Sequence, residues 1–121
     1  MNLDDDDERP VPEAWRSAIS ELVECLVVRD KSLVSSIPQV EPISWDTWNA
    51  CLSYMKEYGG TLVTLPQAAW LTSVAIRYDE EWRCLVDLWT SEEGQSDLVL
   101  DIRVIDFPDR FEIAVHAIYV P

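Results

Sequence analysis

Apolar residues recur at three- and four-residue steps over Trp15, Ala18, Ile19, Leu22, Val23, Leu26 and Val27. That spacing predicts an amphipathic helix from about Pro12 to Val28, with Arg16, Ser20, Glu21 and Glu24 on its wet side. Pro12 suits a first helical turn and Glu13 follows it. A second stripe runs through Trp45, Trp48, Leu52, Met55 and Tyr58. Ser44 stands as its N-cap, Asp46 lies in the first turn, and Gly59-Gly60 closes it. Residues 29–43 between the helices contain Pro38 and Pro42 and read as a connector. The segment 61–69 starts as a short strand that Pro66 ends.

The C-terminal half changes period from 3.6 to 2. Strands are predicted at about 70–78, 82–90, 97–106 and 110–120, joined by the short polar links 79–81, 91–96 and 107–109. One face collects Trp82, Cys84, Val86 and Leu88, then Leu98, Leu100, Ile102 and Val104, then Phe111, Ile113, Val115, Ala117 and Tyr119. Val74, Ile76 and Tyr78 extend that face into the first strand. A face this apolar must be covered, and the two helices are the available cover. The predicted fold is therefore α+β: two N-terminal amphipathic helices packed on one face of a four-stranded antiparallel meander, as a single domain over 10–121. Residues 1–9 carry four consecutive aspartates and are expected to be a disordered acidic tail.

Charge narrows the classes of partner. The chain has 23 acidic and 9 basic residues, a formal charge of -14 over 121 residues. Such a surface repels nucleic-acid phosphate and anionic lipid and attracts cationic proteins, so neither nucleic acid nor membrane is expected as a partner. The N-terminus lacks the basic and apolar regions of a signal peptide, and no apolar run reaches the ~18 residues of a membrane span. A cytoplasmic location follows as the expectation. Cys25, Cys51 and Cys84 are odd in number and widely spaced, with no CxxC pair, and read as buried free thiols rather than metal ligands.

The opposite sheet face carries Arg77, Arg83, Leu85, Asp87, Trp89, Val99, Asp101, Arg103, Ile105, Glu112, His116 and Ile118. A register in which inward residues face inward residues sets Arg77 opposite Arg83, Arg83 opposite Arg103, and Arg103 opposite Glu112. Like charges directly opposite are unfavourable. Either Asp87, Asp101 and Glu112 interleave with the arginines in a solvated lattice, or the row meets carboxylates or phosphate on a partner. Trp89 and the apolar residues give this face the composition of a protein interface.

No catalytic kit is legible. His116 is the sole histidine, and no GxSxG, HExxH, P-loop or GxGxxG pattern occurs among only 3 glycines. The acid pairs Glu80-Glu81 and Glu92-Glu93 fall in predicted turns, which are wet and mobile and a poor place to raise a carboxylate pKa. Glu92, Glu93 and Asp97 around Gly94 lack the EF-hand spacing and read as a solvated turn. No enzyme, metal or cofactor is expected. Trp45, Trp48, Trp70 and Tyr119 are the residues that could line a ligand pocket between helices and sheet.

The segment LVDLWTSEEGQSDLVLDIRV (85–104), with LPQAAW (65–70) upstream, resembles a pattern that recurs in small bacterial domains and spans the last 75 or so residues. In size, acidity and layout the chain is similar to immunity proteins of contact-dependent inhibition and other polymorphic toxin systems. That resemblance implies an inhibitor that binds one cognate, basic toxin domain, often a nuclease. The expected contacts are Glu80, Glu81, Asp87, Trp89, Glu92, Glu93, Asp97, Asp101, Arg103 and Glu112. The rival expectation is a small-ligand-binding domain with the tryptophan-lined pocket; a third is an acidic mimic of nucleic acid.

Overall fold

Helix α1 spans Glu13–Val28, and its buried residues Trp15, Ala18, Ile19, Leu22, Val23 and Leu26 are the predicted stripe, joined by Cys25. The computed structural model describes residues 8–121. Helix α2 spans Trp45–Tyr58; Ser44 caps it by accepting from the Thr47 N–H, and Gly59 ends it at φ 92. That left-handed conformation carries little penalty only for a residue without Cβ. A Cβ on Gly60 would lie 2.8 Å from Thr90 Cγ2, so the pair lets the chain leave α2 tight against the sheet.

The sheet has five strands rather than the four predicted, in the order β1-β2-β3-β4-β5 and antiparallel throughout. They are β1 (Glu8–Pro10), β2 (Val74–Tyr78), β3 (Glu81–Thr90), β4 (Gly94–Asp106) and β5 (Phe111–Tyr119). Glu8 and Arg9, assigned to the tail by sequence, pair with Ile76 and Ala75 of β2; the rest of the expected tail lies outside the described residues. The first predicted strand is shorter than 70–78, because Ala69–Thr72 form a one-turn helix, α3, before β2 begins. The connector between α1 and α2 holds a 3-10 helix over Lys31–Ser36, which is N-capped by Asp30.

Both helices lie on one side of the sheet. Their buried stripes form one cluster with Cys84, Val86, Leu88, Leu98, Leu100, Ile102, Val104, Ile113 and Ile118. Each such Leu, Ile or Val contributes roughly 1.5–3 kcal/mol when removed from water, and this burial is the main force holding the layers together. Trp15 closes one end of the core, edge-on to Trp82 at 6.0 Å and tilted to Phe111 at 6.3 Å. Trp45, placed on the α2 stripe by sequence, is 65% exposed. It is the first residue of the helix, and the Lys31 ammonium sits 4.8 Å from its ring centroid.

Two strand phases differ from the alternation pattern. The β2–β3 turn is only Asp79-Glu80, so Tyr78 pairs with Glu81 and Ala75 with Cys84. Ala75 therefore faces the core, and Val74, Ile76 and Tyr78 share the outer face with Arg83 and Leu85, the reverse of the predicted assignment. In β5, Val115 pairs with Ile102 and Ala117 with Asp101, which leaves His116 as an extra bulged residue. The bulge turns Ile118 inward and Ala117 and Tyr119 outward, again reversing the prediction for these three residues.

Connectors guard parts of the sheet edges. Residues 39–41 run along β5, where Ile113 N–H donates to Gln39 O at 2.7 Å and Glu41 N–H to Ile113 O at 2.8 Å. Residues 61–63 pair with the end of β3 through Val63 N–H to Trp89 O at 3.0 Å and Ser91 N–H to Thr61 O at 2.9 Å. The other edge strand, β1, is three residues long and ends in Pro10, which has no N–H to offer.

All three cysteines are free and buried. Burial, with the Asp101 charge adding to it, pushes the Cys84 thiol up to about 12; burial also raises Cys25 and Cys51. Reaction needs the thiolate and access to it, and burial opposes both. Brief iodoacetamide treatment of the native protein at mildly alkaline pH is expected to leave its mass unchanged, whereas treatment in denaturant modifies all three. Rapid native modification of Cys84 would contradict this packing.

Candidate functional site: the uncovered sheet face

With α1 and α2 on one side of the sheet, no helix among the described residues lies across its other face. The chemistry of that face begins with Asp101. Its neighbours in β4, Leu100 and Ile102, point into the core, so the pleat turns Asp101 outward, yet Asp101 is 0% exposed. Arg83 and Tyr119 cover it. Arg83 Nε lies 3.1 Å from both carboxylate oxygens and Nη2 lies 2.6 Å from Oδ2, while the Tyr119 hydroxyl donates to Oδ2 at 2.7 Å. Burying an unpaired carboxylate is strongly unfavourable; a guanidinium fork and a phenol satisfy this one.

The predicted opposition of Arg83 and Arg103 is present in the register. The two guanidiniums resolve it by turning diagonally in opposite directions. Arg83 turns to Asp101, and Arg103 turns to Glu81, with Nε 3.8 Å from Oε1. Arg77 does not join the row. It pairs with Trp82, lies 5.4 Å from the Trp82 ring centroid, and donates from Nε to Asp79 O at 3.0 Å, which steadies the turn. Glu112 pairs with Ile105 rather than Arg103, and its carboxylate meets Arg110 at 3.4 Å. The anion-receiving row of three arginines is thus replaced by a lattice of internal ion pairs.

Beside this lattice an open depression is lined by Tyr78, Asp79, Glu80, Glu81, Arg103 and Ile105, with Arg83 at its floor. It unites Glu80, Glu81 and Arg103 among the expected contact residues, next to Asp101 beneath Arg83. Tyr78, Asp79 and Ile105 belong to it and were not foreseen as contacts. The two-residue turn brings Tyr78 there, and Tyr119 reaches Asp101 only because of the His116 bulge. Neither event leaves a signature in the residue pattern.

Glu112, paired with Ile105, lies at the same end as the depression, and the remaining expected contacts lie at the opposite end of the sheet. Strand β3 has 10 residues, so its two ends stand about 30 Å apart. There Asp87 accepts from the Thr72 hydroxyl, and its N–H donates to Ser73 Oγ at 2.9 Å, fastening α3 to the sheet. Trp89 is half-buried. Glu92 accepts from Thr61 N–H at 2.8 Å and from Thr61 Oγ1 at 2.9 Å. Glu93 accepts from the Tyr58 hydroxyl at 2.5 Å, and that hydroxyl accepts from Asp97 N–H at 3.2 Å. These acids pin the C-terminal end of α2 and the chain after it to the β3–β4 hairpin. Glu92 and Glu93 are exposed but hydrogen-bonded within their own chain, Asp97 is held through its backbone N–H alone, and this hairpin end stands apart from the depression. Among the described residues no group of three or more His, Cys, Asp or Glu side chains could hold a metal ion.

Of the four aromatic residues of the rival pocket, Trp45 and Trp48 line one depression together with Lys31, and Trp70 and Tyr119 lie elsewhere. Trp48 is buried, Trp45 is exposed beside Lys31, Trp70 is buried with the Arg16 guanidinium 5.5 Å from its ring centroid, and Tyr119 is on the opposite side of the sheet.

Residues 23–121 match a family described as Domain of unknown function (DUF7668). The chain belongs to the DUF7668 family. No curated protein and no solved structure matches it. The matched region of this DUF7668 domain holds the whole depression, both internal ion pairs and Tyr119.

Two expectations follow from the site. Arg83→Met leaves Asp101 buried with only Tyr119 as partner. Breaking a buried pair costs 3–5 kcal/mol, and the 38% exposure of the Arg83 side chain sets the expected loss at about 3 kcal/mol in urea unfolding. Arg83→Met with Asp101→Leu removes both charges and is expected to recover most of that loss. Separately, hydrogen bonds from the Thr61 backbone and then its side chain hold the Glu92 carboxyl below its ordinary value. A depressed folded-state value gives stability that is present above the unfolded value and disappears as pH falls through the folded one. Glu92→Gln is therefore expected to flatten the dependence of melting temperature on pH on the acid side, with no change in slope near neutrality.

Proposed function

We propose that this DUF7668 domain is an immunity-type protein, without catalytic activity of its own, that binds and neutralises a cationic toxin domain in the cytoplasm. The reading is carried by one observation: an uncovered sheet face whose arginines are already held by the chain's own carboxylates, and whose rim carries the acids Asp79, Glu80 and Glu81. A face fixed in advance loses little conformational entropy when it docks. The half-buried or exposed side chains of Val74, Ile76, Tyr78, Leu85 and Ile105 provide apolar contact area beside the charges. The net charge of -14 supports a cationic partner, because long-range attraction raises the encounter rate more than it raises final affinity.

The full chain immobilised on resin and exposed to host lysate at low salt is expected to retain a basic protein. Expressed alone, that protein should arrest growth, and co-expression of this chain should relieve the arrest. Glu80→Lys with Glu81→Lys is expected to slow association about tenfold, with a weaker dependence on salt, while Glu92→Gln leaves the rate unchanged. A captured protein that is harmless when expressed, or association indifferent to the charges at 80 and 81, would overturn the proposal.

A further inference from the structure

On the helical layer, away from the sheet face, α1 and the 3-10 helix form a second concave surface. The end of α1 directs its shape. Arg29 takes the left-handed conformation at φ 57, and Asp30 N–H returns to Cys25 O at 3.0 Å. The chain then doubles back, because Asp30 Oδ1 accepts from Ser32 N–H at 3.0 Å and from Ser32 Oγ at 2.6 Å, which starts the 3-10 turn beside α1. Between the two lies a groove with Cys25, Val28, Leu33 and Ile37 as its apolar walls and Glu21 and Glu24 along one rim. Val28 is 57% exposed and Leu33 44% exposed, side chains that would each gain from being covered. No basic residue lines the groove.

Glu24 is anomalous. Its Oε1 is the one buried side-chain polar atom among the described residues that has no hydrogen-bond partner. A carboxylate oxygen withdrawn from water without a donor is costly. Glu24 lines the groove, where an incoming donor can reach its carboxylate, and the carboxylates at 21 and 24 favour a cation. An arginine suits the position best, since its fork engages both oxygens of a carboxylate once the side chain turns toward it.

We propose that this groove is a docking site for a segment of a partner protein in which a large apolar side chain is flanked by arginine. The apolar side chain lies between Val28 and Leu33, and the arginine reaches Glu24 with Glu21 beside it. Charge complementarity sets this choice of occupant. A second copy of this chain would bring the same acidic rim, and a charge of -14, against itself. Glu21 and Val28 are seven residues apart on α1, about 10 Å along the helix, so the groove receives about two turns of a helical segment.

The test uses the full chain and three synthetic helical peptide amides. The first carries leucines four residues apart, flanked by arginines. The second replaces each leucine by serine at the same charge, and the third replaces each arginine by glutamine. The first is expected to shift the amide resonances of Cys25, Val28 and Leu33 and to bind at least tenfold more tightly than either control in calorimetry at physiological salt. Glu24→Gln and, separately, Leu33→Ser should each weaken it about tenfold. The melting temperature of each variant without peptide verifies folding. Equal binding of the leucine and serine peptides would reduce the effect to general attraction by an acidic protein and overturn the proposal. So would resonance shifts confined to Asp79–Glu81. Concentration-dependent shifts of the groove amides without peptide would make a second copy the occupant and overturn it equally. Because the groove is distinct from the sheet face, these outcomes stand or fall independently of the toxin-binding reading.

Discussion

A carboxylate with no exposure, on the side of the sheet that no helix covers, constrains most of what surrounds it. Asp101 is buried only because Arg83 and Tyr119 lie over it. Their arrangement therefore has to be rigid: a guanidinium that swung away would leave the carboxylate without its counter-charge in a region of reduced polarity. The ion pair raises the Arg83 value, chiefly through its hydrogen bonds with Asp101. Burial first, and then the hydrogen bond to Asp101, raise that of Tyr119. Both groups are thus held in their protonated forms. The part of the outer face around Asp101 is in consequence a fixed arrangement of charges.

The register explains why Arg83 is free to do this. Directly opposite Arg103, it could be expected to destabilise the β3–β4 ladder. The acids two positions away on the neighbouring strands, Asp101 for Arg83 and Glu81 for Arg103, draw the guanidiniums apart along opposite diagonals. The two pairs are not equivalent. Asp101 is inaccessible and bidentate, whereas Arg103 and Glu81 are both well exposed and 3.8 Å apart, a separation at which a surface pair contributes less than ~1 kcal/mol. The first pair shapes the face. The second leaves its side chains free to exchange partners, which is where a docking protein can gain new contacts with little loss.

The helices and the central strands were legible because their signals are local and redundant. The α1 stripe, the Ser44 cap and the glycine pair after Tyr58 each mark a boundary independently. The sheet's phase was not legible where it is fixed by geometry rather than by side-chain type. Val74, Ile76 and Tyr78 are together more apolar than Ala75 and Arg77, so polarity alone assigns them to the core; the two-residue turn at Asp79-Glu80 fixes the opposite pairing. In β5 the residues on either side of His116 are apolar on both faces, and no alternation remains to betray the bulge. The same holds for the site: alternation alone assigns Tyr119 to the core, and nothing in the spacing of Glu92 and Glu93 reveals their bonds to Thr61 and Tyr58.

Acidity alone would make this chain attractive to any cation, and specificity has to come from where the acids are free. The hairpin acids at 92 and 93 are engaged with Thr61 and Tyr58, and Asp87 with Thr72. Asp79 and Glu80 stand exposed at the mouth of the depression. Glu21 and Glu24 line the groove on the helical side, next to apolar side chains that water covers poorly. The two places therefore differ in kind from the general negative field. That field acts over a Debye length of roughly 8–10 Å and brings a basic protein close. At short range the rim of the depression offers carboxylates over a rigid, half-apolar sheet, and the groove offers a carboxylate whose own packing is incomplete. On the proposed reading, a partner that matches both charge and shape is held, while one that supplies charge alone is only attracted.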